Sequence, residues 1–186
     1  MKDVVKKPVG HIIVECLDEH RNVIDRYEEK NLIMDTARIA VSSAIAGVTS
    51  SVPMNKFVIG TEGHVTGDYL TPKTDVEGFI SSRTELFSEE LSSYIYPVVF
   101  QVPGTQSGDC TVISEPDTGT LVNLDCVGTD VTFTIEIPEL AANNSGVTVY
   151  TEAALYAGDN MFSMKCFPGK VKDNSVSVKI IWTIKF

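Results

Sequence analysis

Three histidines are the residues of this chain best suited to metal binding or proton transfer, and their surroundings favour neither. His11 falls in an apolar run, His20 in a polar stretch and His64 among glycines. Zinc sites need ligands at short, defined spacings, and a catalytic histidine needs a nucleophile or an acid beside it. None of the three has a neighbour at helical or metal-ligand spacing. We therefore expect surface or core histidines, with no metal site and no catalytic role.

The four cysteines are candidates for a nucleophile, a zinc site or disulfides. They have neither C-x-x-C spacing nor a recognisable catalytic signature, and they stand at Cys16, Cys110, Cys126 and Cys166. The chain also lacks the G-x-S-x-G sequence that places a nucleophilic serine on a sharp turn. We predict reduced, mostly packed thiols, as is typical of proteins kept in a cytoplasm.

The glycine-rich stretch Gly60-x-x-Gly63-x-x-x-Gly67 is a candidate phosphate-binding loop. It lacks the Gly-Lys-Ser/Thr of a P-loop and the G-x-G-x-x-G of a dinucleotide site. We interpret it as a cluster of turns, with Gly60 marking a bulge or a close backbone approach at the end of a strand. No cofactor is therefore expected.

Acidic side chains are candidates for calcium ligands or for general acids and bases. Asp68, Asp75 and Glu77 have spacings that match no EF-hand loop, and adjacent pairs occur at Glu28–Glu29 and Glu89–Glu90. A glycosidase needs two carboxyl groups facing each other across a cleft, a relation that a sequence does not reveal. With 25 acidic residues in the chain, solvated carboxylates are the interpretation we adopt, and a small hydrolase is the least favoured function.

The composition is that of one folded domain: 186 residues, 43% of them hydrophobic and 22% charged. A formal net charge of -10 disfavours nucleic acid as a direct partner, because basic residues are needed to neutralise phosphates. Lys2, Lys6 and Lys7 gather in what we predict to be a solvated N-terminal arm. Since the chain shows no secretory signal and no stretch long enough to cross a bilayer, we expect a cytoplasmic product with no membrane partner.

Alternation of apolar and polar residues predicts β-strands through most of the chain. The predicted strands are 10–17, 23–27, 56–61, 96–102, 110–113, 120–122, 131–137, 148–157, 161–167 and 176–186. Polar residues 18–22 and the run Gly158-Asp159-Asn160 predict two tight turns. The last strand has the clearest alternation, so removing residues 184–186 is expected to damage folding.

One helix is predicted between the second and third strands. Asn31 would cap it, and Gly47 stands near its end. The apolar residues at helical spacing are Ile33, Ala37, Ala40, Val41, Ala44 and Val48.

Residues from about 62 to 95 lack a long apolar period, so we predict that they form an excursion from the body. Structureless loops longer than about 12 to 15 residues usually have a function, such as holding a partner.

The predicted fold is therefore mainly β: an antiparallel β-sandwich, jelly-roll or Ig-like, with one α-helix packed on it and an extended loop and arm. We expect a single domain at 10–186, with an N-terminal arm at 1–9 and the excursion at about 62–95. Residues 1–9 and 62–95 fit a self-contained core poorly, so we hypothesise that they carry contacts between subunits.

Several segments resemble small virion proteins of tailed bacteriophages. Lys30-Asn31-Leu32-Ile33 before an alanine-rich stretch, followed by Phe57-Val58-Ile59-Gly60-Thr61, looks like the opening of such proteins. The ending is similar through residues 150–156, 162–168 and 180–186. The long insertion at residues 62–93 departs from the family pattern.

The resemblance implies a non-enzymatic structural component of a phage particle, in the tail, the neck or collar, or the baseplate. It implies assembly into a homo-oligomeric ring and with neighbouring virion proteins, and it supplies no active-site residues. Its location would be the virion, after assembly in the bacterial host cytoplasm. The alternative is a carbohydrate- or receptor-binding module of a tail fibre or tip, which needs exposed aromatic side chains. The candidates are Tyr69, Tyr94, Tyr96 and Tyr156.

Overall fold

The fold is that of a computed structural model, which describes residues 8–34, 36–37, 41–42, 54–74, 82–97, 110–114, 121–127, 130–141 and 146–185. Twelve strands lie in this part of the chain. They are β1 Val9–Leu17, β2 Val23–Ile33, β3 Met54–Gly60, β4 His64–Val65, β5 Asp68–Pro72, β6 Glu89–Pro97, β7 Cys110–Ser114, β8 Leu121–Val127, β9 Asp130–Ile137, β10 Thr148–Ala157, β11 Asn160–Lys172 and β12 Ser177–Lys185.

Ten of these strands form a closed barrel in the order β1-β12-β9-β8-β7-β6-β3-β10-β11-β2, and pairing of β2 with β1 completes the ring. Each pair of neighbours is antiparallel. β4 and β5 form a separate two-stranded sheet. The prediction of a mainly β, antiparallel protein is confirmed.

Alternation along each strand decides which side chains enter the core. β12 lies between β1 and β9, and its register places Ile180 opposite Val14 on one side and Ile135 on the other. All three side chains are fully buried, as is Trp182 two residues further along β12. The strand predicted most clearly from sequence is therefore paired on both edges and anchors the core.

β2 and β6 each change partner along their length. β2 pairs with β1 as far as Asn31 and with β11 through Leu32 and Ile33. β6 pairs with β3 over residues 89–94 and with β7 over residues 95–97. Strands that pass from one sheet to another form the corners of barrels and sandwiches, so these two strands turn the ring.

Both tight turns predicted from the sequence are present. At the β1–β2 turn, the Asp18 carboxylate accepts hydrogen bonds from the backbone N–H of His20 at 2.9 Å and of Asn22 at 2.8 Å. Arg21 has a positive φ of 68° in this turn. At the β10–β11 turn, Gly158 takes a φ of 62°, which glycine adopts without steric cost.

The sheet of β3, β10 and β11 is buried on both faces. Its inner face joins the main core, and its outer face carries a second apolar cluster. The outer residues of the strands in this cluster are Val58, Ala154, Tyr156, Met161, Met164 and Cys166. Met34, Leu86 and Phe87 cover them from outside the sheet.

The prediction of one packed helix is not borne out by the described residues. Asn31 lies inside β2, where its amide donates a hydrogen bond to the Ser163 hydroxyl, so it caps no helix. Helical backbone occurs at residues 36–37 and 41–42, and the remainder of the predicted helix lies outside the described residues. Pairing of Leu32 and Ile33 with β11 extends the strand against the local helical period, a case of tertiary contacts overriding propensity.

The excursion predicted at 62–95 is folded against the body wherever the structure describes it. His64 and Leu86 are buried, and residues 89–97 belong to β6 of the barrel. Residues 75–81 of the excursion and residues 1–7 of the predicted arm lie outside the described residues. Within the described residues, no helix has the length and apolar character needed to span a membrane.

We predict that Ile180→Ala lowers the free energy of unfolding by about 2–5 kcal/mol, because it opens a cavity in the core. Ile181→Ala is the matched control, since Ile181 is the adjacent isoleucine on the opposite face of β12 and is only partly buried. Its cost is expected to stay below about 1 kcal/mol. Urea denaturation followed by circular dichroism measures both, and equal losses would contradict the assigned faces of β12.

Candidate functional site

Glu152 is a fully buried acid on the outer face of β10. Its carboxylate accepts hydrogen bonds from the backbone N–H groups of Glu62 at 3.2 Å, Phe87 at 2.9 Å and Ser88 at 2.9 Å. Glu62 follows β3 and the other two donors precede β6, so the bonds come from both ends of the excursion. One side chain therefore fastens two separate segments to the barrel.

Two glycines allow the backbone to approach this carboxylate. A Cβ on Gly60 would lie 2.1 Å from the Ser88 carbonyl oxygen, and a Cβ on Gly63 would lie 2.5 Å from the Cβ of Glu152. The Gly63 N–H donates a hydrogen bond to the Thr151 hydroxyl at 2.9 Å. Gly60 also stands at a register shift between β3 and β6, so the predicted bulge and close approach are both found there.

Two cationic side chains lie against the ring of Phe87. The Lys73 Nζ is 3.9 Å and the Arg83 Cζ is 3.8 Å from the ring centroid. Arg83 also donates to the Leu86 carbonyl at 2.9 Å, and Lys73 donates to the Glu62 carbonyl at 2.6 Å. These contacts connect the segment at 82–88 with the segment at 62–74, so the two form one cover over the outer face.

Burial raises the pKa of Glu152 above its ordinary value, and the three N–H donors and the charge of Arg83 offset this only in part. Burial also raises the pKa of the neighbouring Cys166 thiol to about 12, and the charge of Glu152 adds to the effect. Such a thiol stays protonated near neutral pH and is a poor nucleophile. The arrangement holds chain segments in place, and its acid and thiol are engaged in packing.

The cysteines that the structure describes are free and buried. These are Cys16 and Cys166. The pKa of Cys16 is raised to about 11, first by burial and then by the charge of Asp25. The side chains of Cys110 and Cys126 lie outside the described residues.

The structure does not bring the three histidines together. The His11 ring lies 3.3 Å from the Glu28 carboxylate, His20 lies 3.6 Å from Glu19, and the His64 Nδ1 is 3.0 Å from the Thr61 carbonyl oxygen. Among the described residues, no group of three His, Cys, Asp or Glu side chains is placed to hold a metal ion.

Of the three candidate calcium ligands, Asp68 is the one that lies among the described residues. The Asp68 carboxylate accepts hydrogen bonds from the Leu70 N–H at 2.9 Å and the Thr71 hydroxyl at 2.6 Å, which fix the start of β5. Asp75 and Glu77 lie outside the described residues, as do the side chains of Glu89 and Glu90.

Glu29, from the adjacent pair Glu28–Glu29, helps to close the barrel between β2 and β11. Backbone pairing between these strands is described only at Leu32 and Ile33. Beyond it, the Lys165 Nζ lies 2.7 Å from the Glu29 carboxylate, and the Lys170 Nζ lies 2.7 Å from that of Asp25. Side-chain ion pairs therefore continue the closure beyond the described backbone pairs.

One apolar surface remains exposed on the outer face near the end of β11. We call Tyr69, Val149 and Val171 the valine patch, and Val147 stands two residues before Val149. Val149 is the cross-strand partner of Val171, and a Cβ on Gly169 would meet both Val149 at 2.7 Å and Tyr69 at 3.2 Å. Val147 is 61% exposed, while Tyr69 and Val171 are each 51% exposed. The ring of Tyr69 also stacks on His64, with centroids 4.3 Å apart.

The tyrosines proposed as exposed aromatics differ in their positions. Tyr69 is half exposed, whereas Tyr156 is buried in the outer cluster. Tyr94 and Tyr96 lie in β6, where side chains are outside the described residues.

Two features were missed by sequence reasoning. Glu152 interrupts the apolar run from Tyr150 to Tyr156, a signal that could have marked it as a buried acid in need of donors. Val171 carries no comparable signal, because an exposed valine and a core valine look alike in a strand pattern.

No protein-family model, no curated protein and no solved structure matches the chain.

We predict that Glu152→Ala lowers the free energy of unfolding by about 1–3 kcal/mol, because it leaves buried N–H groups without an acceptor. Glu28→Ala is the control, since Glu28 is an acid on the exposed surface of β2, where its cost should stay within about 0.5 kcal/mol. Urea denaturation at neutral pH measures both. An unchanged midpoint for Glu152→Ala would refute the proposed role of this carboxylate.

The difference in unfolding free energy between the wild type and Glu152→Ala should depend on pH. Because the folded-state pKa of Glu152 is raised, the folded protein binds this proton more readily than the unfolded chain does. The stability contributed by the protonated group is present in acid and is lost as pH rises through the folded pKa. Urea titrations from pH 4 to pH 8 should therefore show the difference between the two proteins shrinking. A difference that grows with pH would contradict the raised pKa.

Proposed function

We propose that the protein is a non-enzymatic structural component of a tailed bacteriophage particle, placed in the neck or collar, the tail or the baseplate. It assembles into a homo-oligomeric ring and with neighbouring virion proteins, in the virion and after synthesis in the host cytoplasm. Nucleic acid and membranes are not its direct partners, in keeping with a net charge of -10.

The observation that carries this proposal is the valine patch. The inner and outer faces of the β3-β10-β11 sheet hold two packed clusters, and yet apolar side chains stand exposed beside them. Apolar side chains that are exposed next to one another offer a surface to which another protein can bind. The segments that resemble phage virion proteins fall in β2, β3, β10, β11 and β12, which are strands of the barrel that presents this patch.

We also propose that the barrel is a flattened sandwich of the jelly-roll type. The β1–β2 hairpin lies between β11 and β12 in the ring, and the β10–β11 hairpin lies between β2 and β3. Such interleaving of distant strands is typical of Greek-key and jelly-roll domains.

A carbohydrate- or receptor-binding tip is the second candidate, and the half-exposed ring of Tyr69 is the observation that favours it. Sugars stack on exposed aromatic rings, and Tyr69 is held in place by His64. A glycan array separates the two functions, because the structural component is expected to bind no sugar.

We predict that the purified protein forms an oligomer of defined size, visible as rings by negative-stain electron microscopy. Light scattering after size exclusion, over a hundredfold range of concentration, measures its mass. A mass that stays at the 20.3 kDa of one chain throughout would contradict the homo-oligomeric part of the proposal.

A further inference from the structure

Two carboxylates stand next to the valine patch in the sequence, and we call them its acidic rim. Asp68 adjoins Tyr69, and Asp173 follows Val171 by two residues. Hydrogen bonds hold the pKa of both carboxyls below the ordinary value, from Thr71 and Leu70 for Asp68 and from Ser175 for Asp173, so both are ionised near neutral pH.

The lysines next to Val171 are buried, so they add little positive charge to the exposed surface, although the charge of Lys172 acts on Asp173. Lys170 and Lys172 are 3% and 0% exposed. Lys170 is engaged with Asp25, and Lys172 donates to the Asp173 carbonyl. The patch therefore presents apolar side chains beside carboxylates, a surface complementary to a short apolar segment flanked by basic residues.

Residues 2–7 of this chain have that composition. Val4 and Val5 are adjacent β-branched residues, and Lys2, Lys6 and Lys7 flank them. The two valines supply apolar side chains for the patch, and the lysines supply charges opposite to those of its acidic rim.

The same molecule cannot supply these residues to its own patch. Val4 stands five residues before Val9, so it reaches at most about 17 Å from Val9 at about 3.4 Å per residue. The patch lies at the other end of β1, because Cys16 pairs with Asp25 and Asp25 contacts Lys170, the neighbour of Val171. From Val9 to Cys16 the strand advances about 23 Å at about 3.3 Å per residue. A second copy stacked end to end has no such limit.

We propose that the valine patch of one copy binds residues 2–7 of a second copy, with Val4 and Val5 on the patch and the lysines beside Asp68 and Asp173. This inference rests on the proposed self-assembly and names the surface and the segment that carry it. The contact joins two different surfaces, and contacts of that kind generate rings when the rotation closes.

Val171→Asp tests the receiving surface, and Val23→Asp is its matched control. Val23 is a valine on β2 at the same end of the barrel and is 50% exposed, against 51% for Val171. Val171→Asp should raise the concentration of half-assembly by more than about tenfold, the equivalent of about 1.4 kcal/mol. Val23→Asp should leave it unchanged. Thermal melts of both variants show whether the barrel is intact.

The double replacement Val4→Asp and Val5→Asp tests the docking segment in the full chain. It should weaken assembly as Val171→Asp does, and combining all three changes should add little further loss. A fluorescent peptide of residues 1–9 should bind the wild type and Val23→Asp, more weakly as salt is raised, and should fail to bind Val171→Asp.

The outcomes separate this inference from the proposed function. If the wild type assembles and folded Val171→Asp assembles equally well, the docking surface is wrong and self-assembly stands. If Val23→Asp weakened assembly as much as Val171→Asp does, the assigned surface would also be wrong. A wild type that stays monomeric at every concentration, with no peptide binding, overturns both.

Discussion

Burial of β10 on both faces is the constraint on which the rest of the structure depends. Tyr150 and Leu155 enter the main core, while Ala154 and Tyr156 pack into the outer cluster. Glu152 shares that outer face, and a carboxylate in apolar surroundings is costly unless donors reach it. Backbone N–H groups from the two ends of the excursion supply them. One side chain therefore fixes the two described ends of the segment between β3 and β6.

This constraint gives the excursion a role within its own chain. In its described residues, the segment covers its own sheet, and its predicted contacts with a neighbouring subunit stay a prediction. The cover ends near β5, and the outer residues Val149 and Val171 are left partly exposed beside Tyr69. Within the part of the chain that the structure describes, the strands of the barrel form a closed ring, and the exposed side chains of the valine patch offer the contact surface that we propose.

Much of the fold could be predicted from the sequence, because a strand that buries one face has an apolar residue at every second position. Ile180 and Trp182 in β12 show that period, and so do Phe133 and Ile135 in β9. The same reasoning failed at residues 31–33, because their pairing with β1 and β11 depends on strands distant in sequence. The same reasoning could not predict the hydrogen bonds of Glu152. Their donors are the N–H groups of Glu62, Phe87 and Ser88, which are far from Glu152 in the chain.

Hydrogen exchange of the native wild-type protein tests most directly whether the cover is fastened to β10. The amides of Glu62, Phe87 and Ser88 donate to a buried carboxylate, so we expect them to exchange far more slowly than in an unstructured peptide, and together as one unit. Exchange of these amides at the rate of an unfolded chain, while β10 itself stays protected, would contradict the account.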